Sequence, residues 1–425
     1  MLVAVVMLFV IGAMAALSID VVTLYTARSE AQLAADGAAL AGARVLANSG
    51  MTSASDATVG ANAVPSAIAV ATQVAASNPV GGRNLVAGAS PCISGQEICV
   101  NINQGITNFI ANPQVTVHVQ RSDLPTFFAR IWGRTTITVK ASATAEAYNP
   151  SYLQGTAAGP GLPVAPTCVK PWLLPNIDPS NPSGQIFDPA SGAVRAGPGL
   201  LGWEMPPRLR AECDSCLPPP TGPNVWKYYP GDPADFPPPS ASSVACPGCS
   251  GFNGYQLSIV GCVQPPIQCN SIVHVDQAPA PDGSRDQEAA DAVDALTHTS
   301  SNQGDSVDTT ILPSPPFQFV AGGDNPVVQS GAMAAPTNIM VSDSLVTVPV
   351  IDTTSAWPGG YPAVQIIGFV QLFLSPTGHK VNPGTKNIHT QVINLVGCGA
   401  GVGGVTGSPI LGNGASPVAA RLISP

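Results

Sequence analysis

The ten cysteines carry the clearest chemistry in this chain, and all of them lie beyond residue 90. Four of them form two CxxC motifs, Cys213–Cys216 and Cys246–Cys249, and this spacing is typical of zinc ligands. The stretch between the motifs is longer than the roughly 15 to 20 residues of a usual zinc ribbon. Structural disulfides are therefore the preferred interpretation, and a zinc site at these four cysteines is the alternative.

The spacing of the other cysteines predicts particular pairs. These pairs are Cys92–Cys99, Cys262–Cys269 and Cys168–Cys398. The first two bracket short loops, and the third would close a whole region and stabilise it by about 4 to 5 kcal/mol in the chain-entropy model. An even number of cysteines outside an anchor segment is typical of an oxidising compartment. We predict disulfides among all ten cysteines, and no cofactor.

Catalytic motifs are absent from the sequence. The five histidines never occur four residues apart, which excludes an HExxH-type zinc site. No G-x-S-x-G or Walker A pattern occurs. The acidic residues around Gln287–Leu296 match no EF-hand loop, and Ala289, Val293 and Leu296 share one face of a predicted solvated helix. We therefore predict that the protein is not an enzyme.

The N-terminus is predicted to form one long helix. Met1–Ile19 contains no charged side chain, and at about 1.5 Å per residue it spans roughly 28 Å, close to the hydrocarbon thickness of a bilayer. A cleaved signal peptide would need a basic start and a cleavage site, whereas the helical pattern continues to Asn48. We predict an uncleaved anchor that leaves the lipid at Asp20.

Along one face of this helix, apolar and small residues recur at alternating spacings of four and three, a pattern typical of helices that pack against a partner. We call this row of residues the seam. Most seam residues beyond Leu24 are small, and a small-xxx-small pair lies inside the apolar run. The helix-packing positions are Gly12, Ala16, Leu17, Val21, Leu24, Ala31, Ala35, Ala38 and Gly42. Spacing alone leaves two interpretations open: the helix packs on the chain's own globular part, or it packs beside similar helices in an assembly.

The order of residues in this helix resembles the N-terminal domain of the TadE/TadG-like proteins of Flp, or tight-adherence, pilus assembly. The resemblance rests on Leu17–Tyr25, Gln32–Leu33 and Ala38–Ala43, with the motif residues Asp20, Arg28, Gln32 and Asp36. It implies a structural component anchored by one span in the bacterial inner membrane, with the bulk of the chain periplasmic or at the cell surface. Its helix is then expected to contact other pilus or Tad assembly proteins.

The sequence departs from that family pattern in two places. Gly37 replaces the usual alanine after Asp36, and the basic, glycine-rich leader that normally precedes the apolar run is absent. We expect the native start to lie upstream of Met1, because without basic residues there the positive-inside rule does not orient the span. The helix also resembles that of pilins, but no glutamate precedes Glu30, which disfavours a processed major pilin.

Residues 49–148 are predicted to form a pilin-like α+β unit. Helical sequence runs from about Ser53 to Ala76, and Pro65 is expected to begin a second helix. Three strands follow the period of two, with the faces Ile98, Val100 and Ile102; Val115, Val117 and Val119; and Ile137, Val139 and Ala141.

A helix is also predicted between the last two of these strands. Leu124, Phe127, Phe128, Ile131 and Trp132 recur at helical spacing. Asp123 would cap this one-faced helix and Gly133 would end it.

The remaining chain is predicted to form a second, disulfide-rich and mostly β domain at residues 167–399, after a Pro/Gly linker at 149–166. Its apolar runs include Tyr255–Val260, Ser344–Ile351 and Val364–Leu374, of which the last is the strongest strand candidate. Residues 400–425 are expected to be a flexible tail. The predicted fold class is therefore α+β: a transmembrane and extended helix (1–48), the small α+β unit and this second domain.

The charge composition limits the kinds of partner that the protein can bind. The chain has 16 Lys and Arg against 25 Asp and Glu, a net charge of −9, so a nucleic-acid partner is excluded for lack of a basic face. The inner membrane is the predicted partner. The alternative to a pilus-assembly component is a membrane-tethered adhesin or ligand-binding module, in which the second domain itself binds a surface or a glycan.

Overall fold

The computed structural model describes residues 2–48, 57–88, 92–93, 95–103, 113–148, 164–179, 181, 183–189, 195, 208–211, 225–240, 244, 246, 249–261, 265–276, 284–298, 304–307, 319–331, 334–336, 338–339, 342–352, 363–374, 388–398, 410–411 and 418–424. The helices are α1 (Leu2–Asn48), α2 (Ala57–Ser77), α3 (Gly254–Val260), α4 (Ser284–Leu296) and α5 (Pro326–Gln329). The strands are β1 (Ile98–Asn103), β2 (Gln114–Pro125), β3 (Thr136–Tyr148), β4 (Val164–Ala165), β5 (Trp172–Pro175), β6 (Arg208–Ala211), β7 (Val225–Pro230), β8 (Ile272–His274), β9 (Ser306–Val307), β10 (Phe319–Val320), β11 (Asn338–Ile339), β12 (Leu345–Ile351), β13 (Ala363–Leu374), β14 (Thr390–Gly397), β15 (Ile410–Leu411) and β16 (Ala419–Ser424). This mixture of a long apolar helix and sheets confirms the predicted α+β class.

The first region is a four-stranded antiparallel sheet in the order β1–β2–β3–β16. Helices α1 and α2 pack against each other and against this sheet. Val115, Val117 and Val119 of β2 are buried, at most 1% exposed, while His118 between them is exposed. A period of two places one face of each strand in the core, and the three strands predicted here are confirmed.

Two local predictions in this region are wrong. The first concerns Pro65: α2 is one helix that starts at Ala57 and continues through this residue. A proline inside a helix removes one backbone hydrogen bond and crowds the preceding turn. Here the helix continues on both sides of it, so Pro65 does not mark a helix start.

The second concerns the helix predicted between β2 and β3. Strand β2 continues to Pro125, and Leu124 pairs with Ile137 across the hairpin. Only Ala129–Trp132 turns, as a short 3-10 helix that Gly133 ends with a φ of +77°. Asp123 does not cap it, since its carboxylate accepts a hydrogen bond from Arg121 Nε at 2.8 Å. The helical spacing instead reflects a hairpin tip, with Leu124 buried and Phe127 exposed.

The second region is built on a larger mixed sheet in the order β14–β13–β12–β5–β7–β6, with β8 paired to one end of β13. Strand β13 lies between β12 and β14, antiparallel to both, and is buried along most of its length. This confirms the strongest strand prediction. The run Tyr255–Val260 instead belongs to helix α3, which begins with a capping box between Asn253 and Gln256.

One continuous cluster of buried apolar side chains joins the two regions. It contains Ala43 and Leu46 of α1, Val115 of β2, and Val348 and Val396 of the larger sheet. The two regions therefore share a core. Residues 149–163 of the predicted linker lie outside the described part of the chain.

The C-terminal segment returns to the first region. Strand β16 pairs antiparallel with β3, and Arg421 Nε donates to Glu146 Oε1 at 2.6 Å. Strand β15 pairs with β4. The described residues of 400–425 thus include two paired strands, which differs from the flexible tail that was expected.

Candidate functional site on the long helix

Helix α1 has two different surroundings along its length. Before Asp20 the large apolar side chains that the structure describes are 45% to 77% exposed, with Val10 and Leu8 at the two limits. Beyond Ala27 one face of the helix is buried against the rest of the chain. Among the described residues, one helix is long and apolar enough to cross a membrane, and it is α1. We call residues 2–19 the apolar half and residues 20–48 the packed half.

Asp20 lies where the two halves meet and is only 4% exposed. Its Oδ1 accepts a hydrogen bond from the backbone N–H of Phe127 at 2.8 Å. Its Oδ2 accepts from Phe128 at 3.0 Å and from Ala129 at 2.7 Å. These N–H groups open the 3-10 turn and need an acceptor from outside it. A residue of α1 therefore performs the capping that the sequence had assigned to Asp123.

The charge of Asp20 is stabilised by these contacts. Burial opposes ionisation of the carboxyl group, but the three N–H donors outweigh it, and the pKa of Asp20 lies below the ordinary aspartate value. The carboxylate is therefore ionised at neutral pH. Asp20 fastens the tip of the β2–β3 hairpin to the point where the apolar half ends.

Glu30 makes a second contact, about three turns further along α1. Its Oε2 accepts a hydrogen bond from Gly81 N–H at 2.6 Å. Gly81 has a φ of +58°, and a Cβ atom there would lie 2.4 Å from Leu124 Cδ2, so the turn requires glycine. Buried Arg121 donates from Nη1 to the carbonyl of Gly81 at 2.9 Å. The turn after α2 is thus held between α1 and β2.

The other family-motif residues lie in the packed half. Gln32 Nε2 donates to Asp36 Oδ1 at 2.8 Å and to the Ser142 carbonyl at 3.1 Å, which joins α1 to β3. Arg28 is exposed. Three of the four motif residues, Asp20, Gln32 and Asp36, therefore make contacts that hold or brace α1 on its own sheet.

The predicted helix-packing residues divide between the two halves. Ala31, Ala35 and Ala38 are fully buried, and a Cβ atom added to Gly42 would lie 2.9 Å from Val115 Cγ1. Packing on the chain's own fold therefore accounts for the part of the seam from Ala31 to Gly42.

The part of the seam before residue 25, which we call the upper seam, is less covered by the rest of the chain. A Cβ atom added to Gly12 would meet nothing within 4 Å. Leu17 and Val21 are 48% and 55% exposed, and Ala16 and Leu24 are half-buried. Leu24 packs against the chain's own core, so the part of the seam from Gly12 to Val21 is free to meet lipid or another helix.

The C-terminal end of α1 is held by the second region. Asn394 of β14 is fully buried, and its Nδ2 donates to the Ala47 carbonyl at 2.7 Å and to Gln371 Oε1 at 2.6 Å. The last carbonyls of a helix lack partners within it, so this side chain supplies one. The contacts of Glu30 and Asn394 were not predicted from the sequence. Gly81 was predicted, with Pro79 and Gly82, to end the preceding helix, and α2 does end just before them.

The disulfides differ in part from those predicted. Cys92–Cys99 is confirmed. Cys269 pairs with Cys398, so the predicted pairs Cys262–Cys269 and Cys168–Cys398 are wrong. The sheet explains the difference: Asn270 N–H donates to the Ile366 carbonyl and Cys398 N–H to the Ile367 carbonyl, which brings both cysteines beside β13. Cys168 is also disulfide-bonded.

The CxxC motif at Cys246 and Cys249 forms a disulfide within itself. Zinc binds cysteine as thiolate, so these two sulfurs are not zinc ligands in this state. Cys213, Cys216 and Cys262 lie outside the described residues. Within the described part of the chain, no group of three or more His, Cys, Asp or Glu side chains could hold a metal ion.

Comparison with known families gives one match. Residues 1–45 match the Tad family model, described as Flp pilus-assembly TadE/G-like. The match covers the apolar half and most of the packed half, including Asp20, Gln32 and Asp36, and it confirms the resemblance noted in the sequence. It suggests involvement in Flp pilus assembly and is consistent with membrane anchoring. No curated protein and no solved structure matches the chain.

Proposed function

We propose that this protein is a non-enzymatic, membrane-anchored structural component of Flp, or Tad-type, pilus assembly. The observation that carries the proposal is the division of α1 at Asp20 inside the segment that matches the Tad family. The apolar half has no charged side chain and its described large apolar side chains are exposed, whereas one face of the packed half belongs to the folded core. An exposed apolar surface of this kind is unfavourable in water and favourable in lipid.

The continuity of α1 gives the anchor a mechanical role. The helix runs without a break through Asp20, and contacts at Asp20, Glu30 and Gln32 fasten its packed half to the hairpin tip, the turn after α2 and strand β3. A force on the apolar half is therefore transmitted to the folded region without a flexible linker. This suits a subunit that is held in a platform or pulled by neighbouring helices.

The proposed location is the bacterial inner membrane, with the bulk of the chain on the periplasmic side or at the surface. The disulfides Cys92–Cys99 and Cys269–Cys398 support this side, because disulfides persist in oxidising compartments. The proposed partners are other pilus or Tad assembly proteins. They would approach the apolar half, where Gly12 leaves open space for a close helix contact.

Deletion of the gene, followed by electron microscopy of surface pili, tests the proposed function. We expect pili to be lost and to return with the full chain. A chain in which a cleavable secretion signal replaces residues 2–19 should fold but not restore them. Normal pili with lost attachment would instead favour a tethered adhesin, and normal pili with normal attachment would overturn both functions.

A further inference from the structure

The tip of the β2–β3 hairpin, residues 126–134, lies at the level of α1 where the apolar half ends. The three hydrogen bonds to Asp20 place the backbone of Phe127, Phe128 and Ala129 within 3.0 Å of that carboxylate. If the apolar half fills the hydrocarbon core, Asp20 enters the headgroup layer, which adds about 5 to 8 Å on each side. The hairpin tip is then at the same depth.

The residues of the tip have the chemistry of a membrane interface. Phe127 is 61% exposed, and among the side chains that the structure describes beyond α1 no other aromatic ring is as exposed. Arg130 and Arg134 are exposed on the same tip, which contains no acidic residue. On α1, Tyr25 adds a second aromatic ring, 77% exposed, shortly after Asp20.

We infer that the hairpin tip is a second membrane-contacting element, which docks into the anionic headgroup layer of the bilayer that α1 crosses. Phe127 lies at the boundary with the acyl chains, where aromatic rings are favoured. Arg130 and Arg134 meet lipid phosphates, which attract basic side chains near the surface. The occupant is lipid because the tip continues the apolar surface of α1 and carries only positive charge.

With this docking, the folded region is attached to the membrane at two points. A single helix would leave the folded region free to rotate about the helix axis. A second contact beside the helix fixes this rotation, and the hydrogen bonds of Asp20 join the two contacts. The inference rests on the proposed anchoring by α1, so its test must distinguish failure of the anchor from failure of the tip.

Photo-crosslinking of the full chain in lipid nanodiscs provides this test. The probe p-benzoylphenylalanine is introduced singly in place of Leu8, Phe127 or Ile272, and lipid adducts are detected by mass spectrometry. Leu8 reports on the anchor. Ile272 is the matched control, since it is 64% exposed but lies in the second region. We expect adducts at Leu8 and Phe127 that exceed those at Ile272 several-fold.

The outcomes separate the two proposals. Adducts at Leu8 without adducts at Phe127 would overturn the tip inference and leave the anchor intact, whereas no adducts at Leu8 would overturn the anchor. The role of charge is tested with nanodiscs of phosphatidylcholine alone or mixed with phosphatidylglycerol. The anionic lipid should raise the Phe127 yield, and Arg130→Gln with Arg134→Gln should abolish that rise. A rise that survives both substitutions would overturn the charge recognition.

Discussion

The apolar half and the packed half of α1 carry the same seam of small and apolar residues, yet their surroundings are opposite. In the packed half Ala31, Ala35 and Ala38 are fully buried on the chain's own sheet. In the apolar half Leu8 and Leu17 are exposed. Small residues allow close packing wherever a partner exists, so the seam alone does not identify that partner.

Polar residues account for the difference between the halves. Asp20, Glu30 and Gln32 each bind a segment distant in sequence: the hairpin tip, the turn after α2 and strand β3. The apolar half contains no charged residue. Where a helix carries polar groups with partners in the same chain, it is tied to that chain, and where it carries none, its partner must be apolar.

The largest expected effect comes from a charge placed in the apolar half. Leu8→Arg should weaken membrane insertion by about 3 kcal/mol, because arginine near the centre of a span is costly. Extraction of membranes at alkaline pH measures this as protein lost from the pellet. Leu33→Arg is the matched control in the packed half, since Leu33 is 67% exposed. Equal release of both variants would contradict the division of α1 at Asp20.

A side chain added to the seam should have a smaller effect, and this time the sensitive position lies in the packed half. Gly42→Val should destabilise the folded region by about 1 to 3 kcal/mol through overpacking, because a Cβ atom there meets Val115 and Ala71 at 2.9 and 3.3 Å. Gly12→Val should leave the folded region unchanged, since a Cβ atom there meets nothing within 4 Å. Urea titration of the detergent-solubilised chain, followed by tryptophan fluorescence, compares the two. Similar midpoints for both variants would argue against the packing of Gly42.

Local patterns in the sequence predicted much of this arrangement. An uncharged run and periods of two depend on neighbours within a few residues, and they correctly located α1, the three strands of the first sheet and β13. The apolar spacing from Leu124 to Trp132 misled because a hairpin tip buries one of these residues and exposes another. Sequence spacing does not reveal which of them a distant element covers.

The contacts that complete the candidate site are distant in sequence and were therefore missed. Asp20 was predicted as the boundary, but its partner Phe127 lies 107 residues away. Cys269 and Cys398 are separated by 129 residues, and only the order of β13 and β14 brings them together. A short loop favoured Cys262–Cys269, and the ends of the second domain favoured Cys168–Cys398, which shows that position in the sequence is a weak guide to disulfide connectivity in a large sheet.

The contact between α1 and the hairpin tip can be weakened by itself. Asp20→Asn removes the charge and one acceptor oxygen, so the amides of Phe127, Phe128 and Ala129 should exchange with solvent deuterium several-fold faster. Exchange in strands β2 and β3 should change little. Asp291→Asn, on the exposed surface of α4, is the control. Unchanged protection of the hairpin tip in Asp20→Asn would contradict the capping role of Asp20.

Acid should distinguish the apolar half of α1 from the folded region, with the smallest of these effects. The pKa of Glu97 is lowered mainly by its hydrogen bond to Arg83, and that of Asp123 mainly by its hydrogen bond to Arg121. A carboxyl group whose folded pKa is depressed stabilises the fold above its unfolded pKa, near 4, and loses this contribution as the pH falls through the folded pKa. The apolar half has no titratable side chain, so membrane insertion should not change over the same range.

The expected loss of stability is modest, since partly exposed ion pairs contribute at most about 1 kcal/mol each. Tryptophan fluorescence reports on the folded region and membrane pelleting on the apolar half, and both are followed in one sample from pH 7 to pH 2. Glu97→Gln should flatten the lower range of the fluorescence transition below pH 4 and leave pelleting unchanged. A transition centred near pH 6 would contradict the assignment to these carboxyl groups. Parallel loss of both signals would show that the apolar half depends on the folded region, and the anchor and the fold would then not be held by independent interactions.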